Sequence, residues 1–254
     1  MVELGQLAER EWPRGEWGGK RASEERRGRL SEAAIEGRLQ LLRRSGYIRS
    51  ERWFYGRPQV WLATAKGLRA AGLPFEPPSV DVRSYDHDIE AVWLGIRLQE
   101  QVAPGRDDIE ILTEREIRHH DAGGGEPSGR SPRPGDVAYS LVWEGSSRFS
   151  KRRHFPDFAA ADYDPEDGRP MVIELERTAK APARLNSIAE AYRGAVHIAR
   201  VLYVVTNDKA EAAVRRAIER AHRSYEEDYY TPIEVLRWEP PGALRRSGEQ
   251  NGGA

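Results

Sequence analysis

The chain has 254 residues, room for two modest domains, and no cysteine, which excludes disulfide staples, Cys-ligated zinc and thiol nucleophiles. Hydrophobic residues make up 39% against 32% charged, with seven Trp and ten Tyr, so there is apolar material enough to pack and a disordered chain is excluded. The formal charge of −1 conceals a division: residues 1–73 carry 15 Lys and Arg against 9 Asp and Glu, leaving 25 against 32 for the remainder. A basic amino-terminal part suits phosphates and an acidic body suits metal ions. No apolar run reaches the roughly 20 residues needed to cross a bilayer, and Met1 to Gln6 lacks a basic region followed by an apolar one. A soluble, cytoplasmic protein with no membrane partner is expected.

Residues 1–29 hold one short apolar repeat, Leu4 and Leu7, followed by a turn-like stretch from Trp12 to Gly19, so any helices there are short. Ser31 is the expected N-cap of a helix over Glu32 to Arg44. Ala34, Ile35, Leu39 and Leu42 recur on one face of that helix, with Arg38, Arg43 and Arg44 elsewhere. Residues 47–55 and 59–62 read as strands around a turn at Gly56-Arg57-Pro58, and Thr64 caps a short helix to Ala71. Helix, hairpin, helix is the order of a winged helix over residues 1–73. In that domain Arg38, Arg43 or Arg44 would face the major groove of double-stranded DNA, and Arg57 would touch a backbone phosphate. The competing reading is that these arginines only keep a helix in solution.

Closely spaced prolines make residues 74–84 a stiff linker to a second domain over 85–240. Tyr85 opens a helix to about Gln101 with acids in its first turn, among which Asp88 and Glu90, beside His87, are secondary site candidates. Residues 108–112 read as a strand, residues 122–135 as a Gly- and Pro-rich mobile loop, and residues 136–143 as a further strand. Lys151, Arg152, Arg153 and His154 then stand just before Pro156-Asp157, where the basic residues either hold a DNA strand or balance acids. Residues 171–177 read as a strand, residues 182–197 as a helix opened by Pro182, residues 200–205 as a buried strand and residues 210–221 as a helix. Residues 233–238 read as a closing strand, and residues 241–254 as a flexible tail. Strands alternating with helices imply an α/β fold with a sheet covered on both faces.

The chemistry is concentrated in Asp157, Glu174, Glu176 and Lys180. On a strand the alternate residues Glu174 and Glu176 point to one face, opposite the apolar Met171, Ile173 and Leu175. Two carboxylates side by side raise each other's pKa unless a cation or a shared proton relieves them, and Mg²⁺ or Mn²⁺ on oxygen ligands is the expected partner. The bland alternatives are a Pro-Asp turn, a solvated Glu-x-Glu face and a surface lysine. Tyr192 falls on the apolar side of its helix and is read as packed rather than as a nucleophile.

The spacing resembles the PD-(D/E)xK nuclease pattern, in which a strand Asp and a Glu on the next strand hold the metal and a Lys two residues later helps activate water. Here Glu176 occupies that third position and the nearest lysine is Lys180. The order Pro156-Asp157, Glu174-Leu175-Glu176, Lys180, Arg184-Leu185 and Tyr192 is similar to that of the replication-relaxation family of plasmid and integrative elements, itself similar to MobC-type conjugative relaxases. That resemblance implies a winged helix followed by a restriction-endonuclease-like α/β domain with a central mixed sheet. It implies metal held by Asp157, Glu174 and Glu176, assistance from Lys180, and DNA held by Arg38, Arg43, Arg44, Arg57, Arg152 and Arg153. The activity expected is metal-dependent DNA nicking or cleavage in replication or mobilisation, with conjugation, replication or transposition proteins, or a second copy, as partners. The alternative is a non-catalytic DNA-binding regulator on a degenerate nuclease fold.

Overall fold

Runs of β-branched and aromatic residues build the body of the chain, and a Gly-terminated helix with a short hairpin builds its amino-terminal part. The computed structural model describes residues 32–101, 109–121, 138–144, 151–161, 163–164, 166, 168–178, 180–223 and 230–240. The Ser31 cap, the segment 1–29, the loop 122–135 and the tail 241–254 lie outside these. The described residues form two compact units, divided between Arg97 and Leu98.

In the first unit, helix α1 (Glu32–Arg44) buries Ile35 and Leu39. The expected stripe is narrower than four residues, because Ala34 is exposed and Leu42 is 43% exposed. Gly46, at φ 75°, turns the chain out of α1 in the left-handed region that glycine enters without steric cost. Strands β1 (Ile48–Glu51) and β2 (Val60–Ala63) pair antiparallel, with Ile48 opposite Ala63 and Glu51 opposite Val60. Thr64 caps α2 (Ala65–Ala70) by accepting from the Gly67 N–H at 3.1 Å. Its hydroxyl also donates to the Gly46 carbonyl at 2.7 Å, so the turn after α1 is tied to the start of α2. Residues 73–80 carry no regular secondary structure, and α3 (Tyr85–Gln101) follows; residues 74–84 thus lie inside the first unit, whose boundary falls within α3.

The second unit is an α/β fold around a five-stranded mixed sheet of order β3-β6-β7-β8-β9. Its strands are β3 (Ile111–Thr113), β6 (Phe158–Ala160), β7 (Met171–Glu176), β8 (Arg200–Val205) and β9 (Ile233–Arg237). The first three pair antiparallel, whereas β7 with β8 and β8 with β9 are parallel. Between β3 and β6 come helix α4 (Glu114–His119) and a separate hairpin of β4 (Leu141–Glu144) and β5 (Lys151–His154). The chain turns helical straight after β3 because Thr113 and Glu116 form a reciprocal capping box.

The parallel connections are α5 (Pro182–Arg193) and α6 (Asp208–His222). Helix α5 stops at Arg193 rather than His197, where Gly194 and the Ala195 N–H to Tyr192 carbonyl bond close it. Asn207 starts α6 by accepting from the Ala210 N–H at 2.9 Å, and its amide donates to the Arg177 carbonyl at 2.5 Å, fixing the end of β7 against the start of α6. The core gathers Leu185, Ile188 and Tyr192 of α5, Val214 and Ile218 of α6, and Val172, Val201 and Val205 of the sheet. Burying each such aliphatic side chain contributes about 1.5–3 kcal/mol. No helix among the described residues is long and apolar enough to cross a membrane.

Candidate functional site

Strand β7 is buried along its whole length, which corrects the expectation that its carboxylates look away from the packed side. Val172, Glu174 and Glu176 share the face on which the parallel register sets Val201, Tyr203 and Val205, the face that α5 and α6 cover. Glu174 and Glu176 are 1% and 2% exposed. Ionised carboxylates so placed are costly unless donors and cations surround them.

Those partners are present. Tyr192 donates its hydroxyl to Glu174 Oε1 at 2.5 Å, and His154 Nε2 meets the same oxygen at 2.6 Å. Lys180 Nζ donates to Glu176 Oε2 at 2.5 Å and lies 4.0 Å from Glu174 Oε2. Asp157 stands immediately before β6, and its Oδ2 accepts the Leu175 N–H at 2.7 Å. Phe158 pairs with Ile173, so this side-chain contact carries the β6–β7 pairing on where the β6 backbone leaves it. Asp157, Glu174, Glu176 and Lys180 therefore meet, although residues 157–180 separate them along the chain.

The electrostatics divide the two glutamates. Burial pushes Glu174 up, but the charge and hydrogen bond of His154, the Lys180 charge and the Tyr192 hydroxyl outweigh it and hold the carboxyl below its usual range. Burial pushes Glu176 up and wins, because Lys180 offsets it only in part while Glu174 and Asp157 add repulsion. Burial alone would lower Lys180, yet Glu174, Glu176 and Asp157 hold its ammonium above the ordinary value. Tyr192 is pushed well above its usual range by burial and by Glu174, and Tyr203 by burial and the three carboxylates. The Tyr203 hydroxyl is buried and finds no hydrogen-bond partner among the described residues.

Asp157, Glu174 and Glu176 have the hard oxygen donors that Mg²⁺ or Mn²⁺ prefers. Their arrangement does not fit such an ion: no group of three or more His, Asp or Glu among the described residues is disposed to hold a metal. Lys180, His154 and Tyr192 supply the neutralisation and hydrogen bonds expected of the metal.

His154, read among basic residues that hold DNA or balance acids, and Tyr192, read as packed, both reach Glu174. Proximity of His154 to Pro156-Asp157 is the only sequence signal for the first, and Tyr192 hides in an apolar stripe where its ring is fully buried. Of the arginines assigned to DNA, four lie in the first unit, on α1 and in the turn between β1 and β2, and two on β5 of the second. Arg38 and Arg44 are exposed on α1, Arg43 reaches Ser50 Oγ at 3.3 Å, and Arg57 pairs with Asp86 at 3.5 Å. Arg153 is exposed and donates to the Asp121 carbonyl at 3.0 Å, while the side chain of Arg152 lies outside the described residues. Asp88 of α3 accepts from Ser84 at 3.1 Å and lies 3.7 Å from His87 Nδ1.

The chain matches no protein-family model, no curated protein and no solved structure.

Proposed function

We propose that the protein binds DNA through its helix–hairpin–helix unit, read as a winged helix, and nicks or cleaves a strand at the Asp157–Glu174–Glu176–Lys180 cluster during replication or mobilisation of a plasmid or other mobile element. One observation carries this: acids from the end of one strand and from its neighbour meet a lysine in a largely buried setting, with Lys180 Nζ at 2.5 Å from Glu176 and 4.0 Å from Glu174. Perturbed, convergent titratable groups mark functional sites more often than scaffolds. The placement of Asp157 before β6 and Glu174 on the adjacent β7 supports the likeness to PD-(D/E)xK nucleases.

The chain's own groups divide the work of phosphodiester hydrolysis. Water attacks phosphorus, Glu176 takes the water's proton, and the bond to the departing sugar oxygen breaks. The upward shift of Glu176 makes it a better base than a solvated glutamate. Lys180, held as an ammonium, stabilises charge developing on the phosphoryl oxygens rather than removing a proton. Glu174 orients Lys180. Tyr192 is a positioning residue, since its phenol is buried, donates to Glu174 and resists ionisation, which favours water over a tyrosyl intermediate. Incubation with supercoiled DNA and Mg²⁺ tests cleavage: nicking should disappear in Glu174→Ala, and unchanged nicking in both Asp157→Ala and Glu174→Ala rejects this site.

A second reading, a non-catalytic DNA-binding regulator or initiation accessory, is favoured by one feature: Lys180 pairs with Glu176 and His154 bonds Glu174, so the acids have protein partners of their own. Gel-shift and nicking assays on the same DNA separate the two. Nicking lost in Glu174→Ala supports cleavage, and binding without nicking supports the regulator.

A further inference from the structure

Between α5 and α6 lies a cleft of about 410 Å³ whose lining includes Lys180, Lys209, Arg216 and Arg220 and, among the described residues, no acid. Lys209, Ala213, Arg216 and Arg220 recur at the spacing that sets them along one face of α6. Two acids of the same helix are drawn to other partners: Asp208 pairs with Arg237 at 3.0 Å, and Glu211 with Arg215 at 2.8 Å. Lys209, Arg216 and Arg220 are exposed, whereas Leu185 is buried and Ala213 half-buried, so the cleft combines a cationic rim with an apolar floor.

We infer that this cleft binds a single-stranded segment of DNA, its phosphates on Lys209, Arg216 and Arg220 and an unstacked sugar and base over Leu185 and Ala213. A duplex hides its base faces and gives an apolar floor little to contact, whereas a single strand offers both charge and apolar surface. Lys180 ties the cleft to the acid cluster, since it lines the one and donates to Glu176 of the other. The inference deepens the cleavage reading, and rests on it for why a strand should lie there.

The test is fluorescence anisotropy of a labelled oligothymidylate with the full chain and with Lys209→Gln/Arg216→Gln/Arg220→Gln, over a series of salt concentrations. These are surface positions, and an unchanged melting temperature establishes that the variant is folded. The expected result is an affinity at least about tenfold weaker and a salt slope lower by about 2, from roughly 0.7 per lost phosphate contact. Unchanged affinity and slope overturn the inference. Displacement of the oligonucleotide by equimolar thymidine monophosphate also overturns it, because the cleft would then be a mononucleotide pocket. The nicking assay is read separately: loss of binding in the triple variant alongside a wild type that never nicks rejects cleavage and keeps the cleft, and retained nicking with unaltered binding does the reverse.

Discussion

Tyr192 and His154 converge on a single oxygen, Oε1 of Glu174, at 2.5 and 2.6 Å, from a helix and from a hairpin outside the main sheet. Tyr192→Phe removes one of those donors from a buried carboxylate. Because a hydrogen bond to a charged group is worth about 1.5–3 kcal/mol, the variant should lose stability in that range in urea unfolding. The pH dependence has a definite sign. Glu174 is held below the ordinary carboxyl value of 4.5, so its contribution is present above 4.5 and is lost as pH falls through the folded value. Without Tyr192 that folded value rises toward 4.5, and acid unfolding of the variant should begin at higher pH than in the wild type.

Tyr203→Phe should behave in the opposite way. Its hydroxyl is buried on the same sheet face as the carboxylates with no hydrogen-bond partner among the described residues, so deleting it removes a desolvated group at no loss of a bond. Urea unfolding should show Tyr203→Phe neutral or more stable by up to about 1 kcal/mol. A loss equal to that of Tyr192→Phe would mean that the hydroxyl has a partner in solution.

Lys180→Met leaves Glu174 and Glu176 facing each other without their shared cation. Lys180 has a raised folded pKa, so its contribution is complete below the ordinary lysine value of 10.5 and is lost only as pH rises through the folded value. Toward acid pH Glu176 protonates first, its folded value being raised, and Glu174 follows more readily in the variant, which lacks the Lys180 charge that helps hold it down, so the missing ammonium matters less. The variant should therefore be about 2–3 kcal/mol less stable at about pH 8 and much closer to wild type at about pH 4. Thermal melts at the two pH values measure the difference.

The frame of the second unit is legible because its signals are local. Pro182 marks a helix start, and the apolar recurrence over residues 210–221 shows which side of α6 is buried, although that helix begins earlier, at the Asn207 cap. The Glu-x-Glu alternation likewise shows that Glu174 and Glu176 share a face. What alternation cannot say is whether that face is wet, and here α5 and α6 cover it. That His154 balances an acid is one of the two readings open to it, but which acid is not legible, because it reaches Glu174 from β5, which pairs with β4, and no periodicity within β7 announces it. Tyr192 is packed as its place in the apolar stripe implies, and the stripe gives no sign of the bond its hydroxyl makes to Glu174.

Asp157 serves the backbone as well as the cluster, and its variants must be chosen accordingly. Asp157→Ala takes away the acceptor of the Leu175 N–H, leaving a donor in a buried strand unsatisfied at a cost of about 1–3 kcal/mol. Asp157→Asn keeps an oxygen acceptor at that position, exchanging a charged acceptor for a neutral one, and should cost about 1 kcal/mol or less. If the carboxylate charge matters to cleavage, Asn should abolish nicking as completely as Ala while the fold is retained. Nicking that falls only in step with stability would assign Asp157 to the scaffold.

Gly67 offers a test confined to the first unit. Thr64 caps α2 through the Gly67 N–H, and its own N–H donates to the Tyr47 carbonyl at 3.0 Å, so the helix start is pressed against the chain leaving α1. A Cβ at Gly67 would run into that same Tyr47 carbonyl oxygen, with the carbonyl carbon only 3.0 Å away. The obstacle is backbone, so no rotamer change relieves it. Alanine normally favours a helix over glycine by about 1 kcal/mol, whereas here overpacking of about 1–3 kcal/mol or more should dominate. Gly67→Ala should therefore destabilise this unit. Hydrogen exchange should quicken at β1, β2 and α2 while the amides of β7 and β8 stay protected. Uniform exchange in both units, or a more stable protein, would mean that α2 does not sit so close to Tyr47.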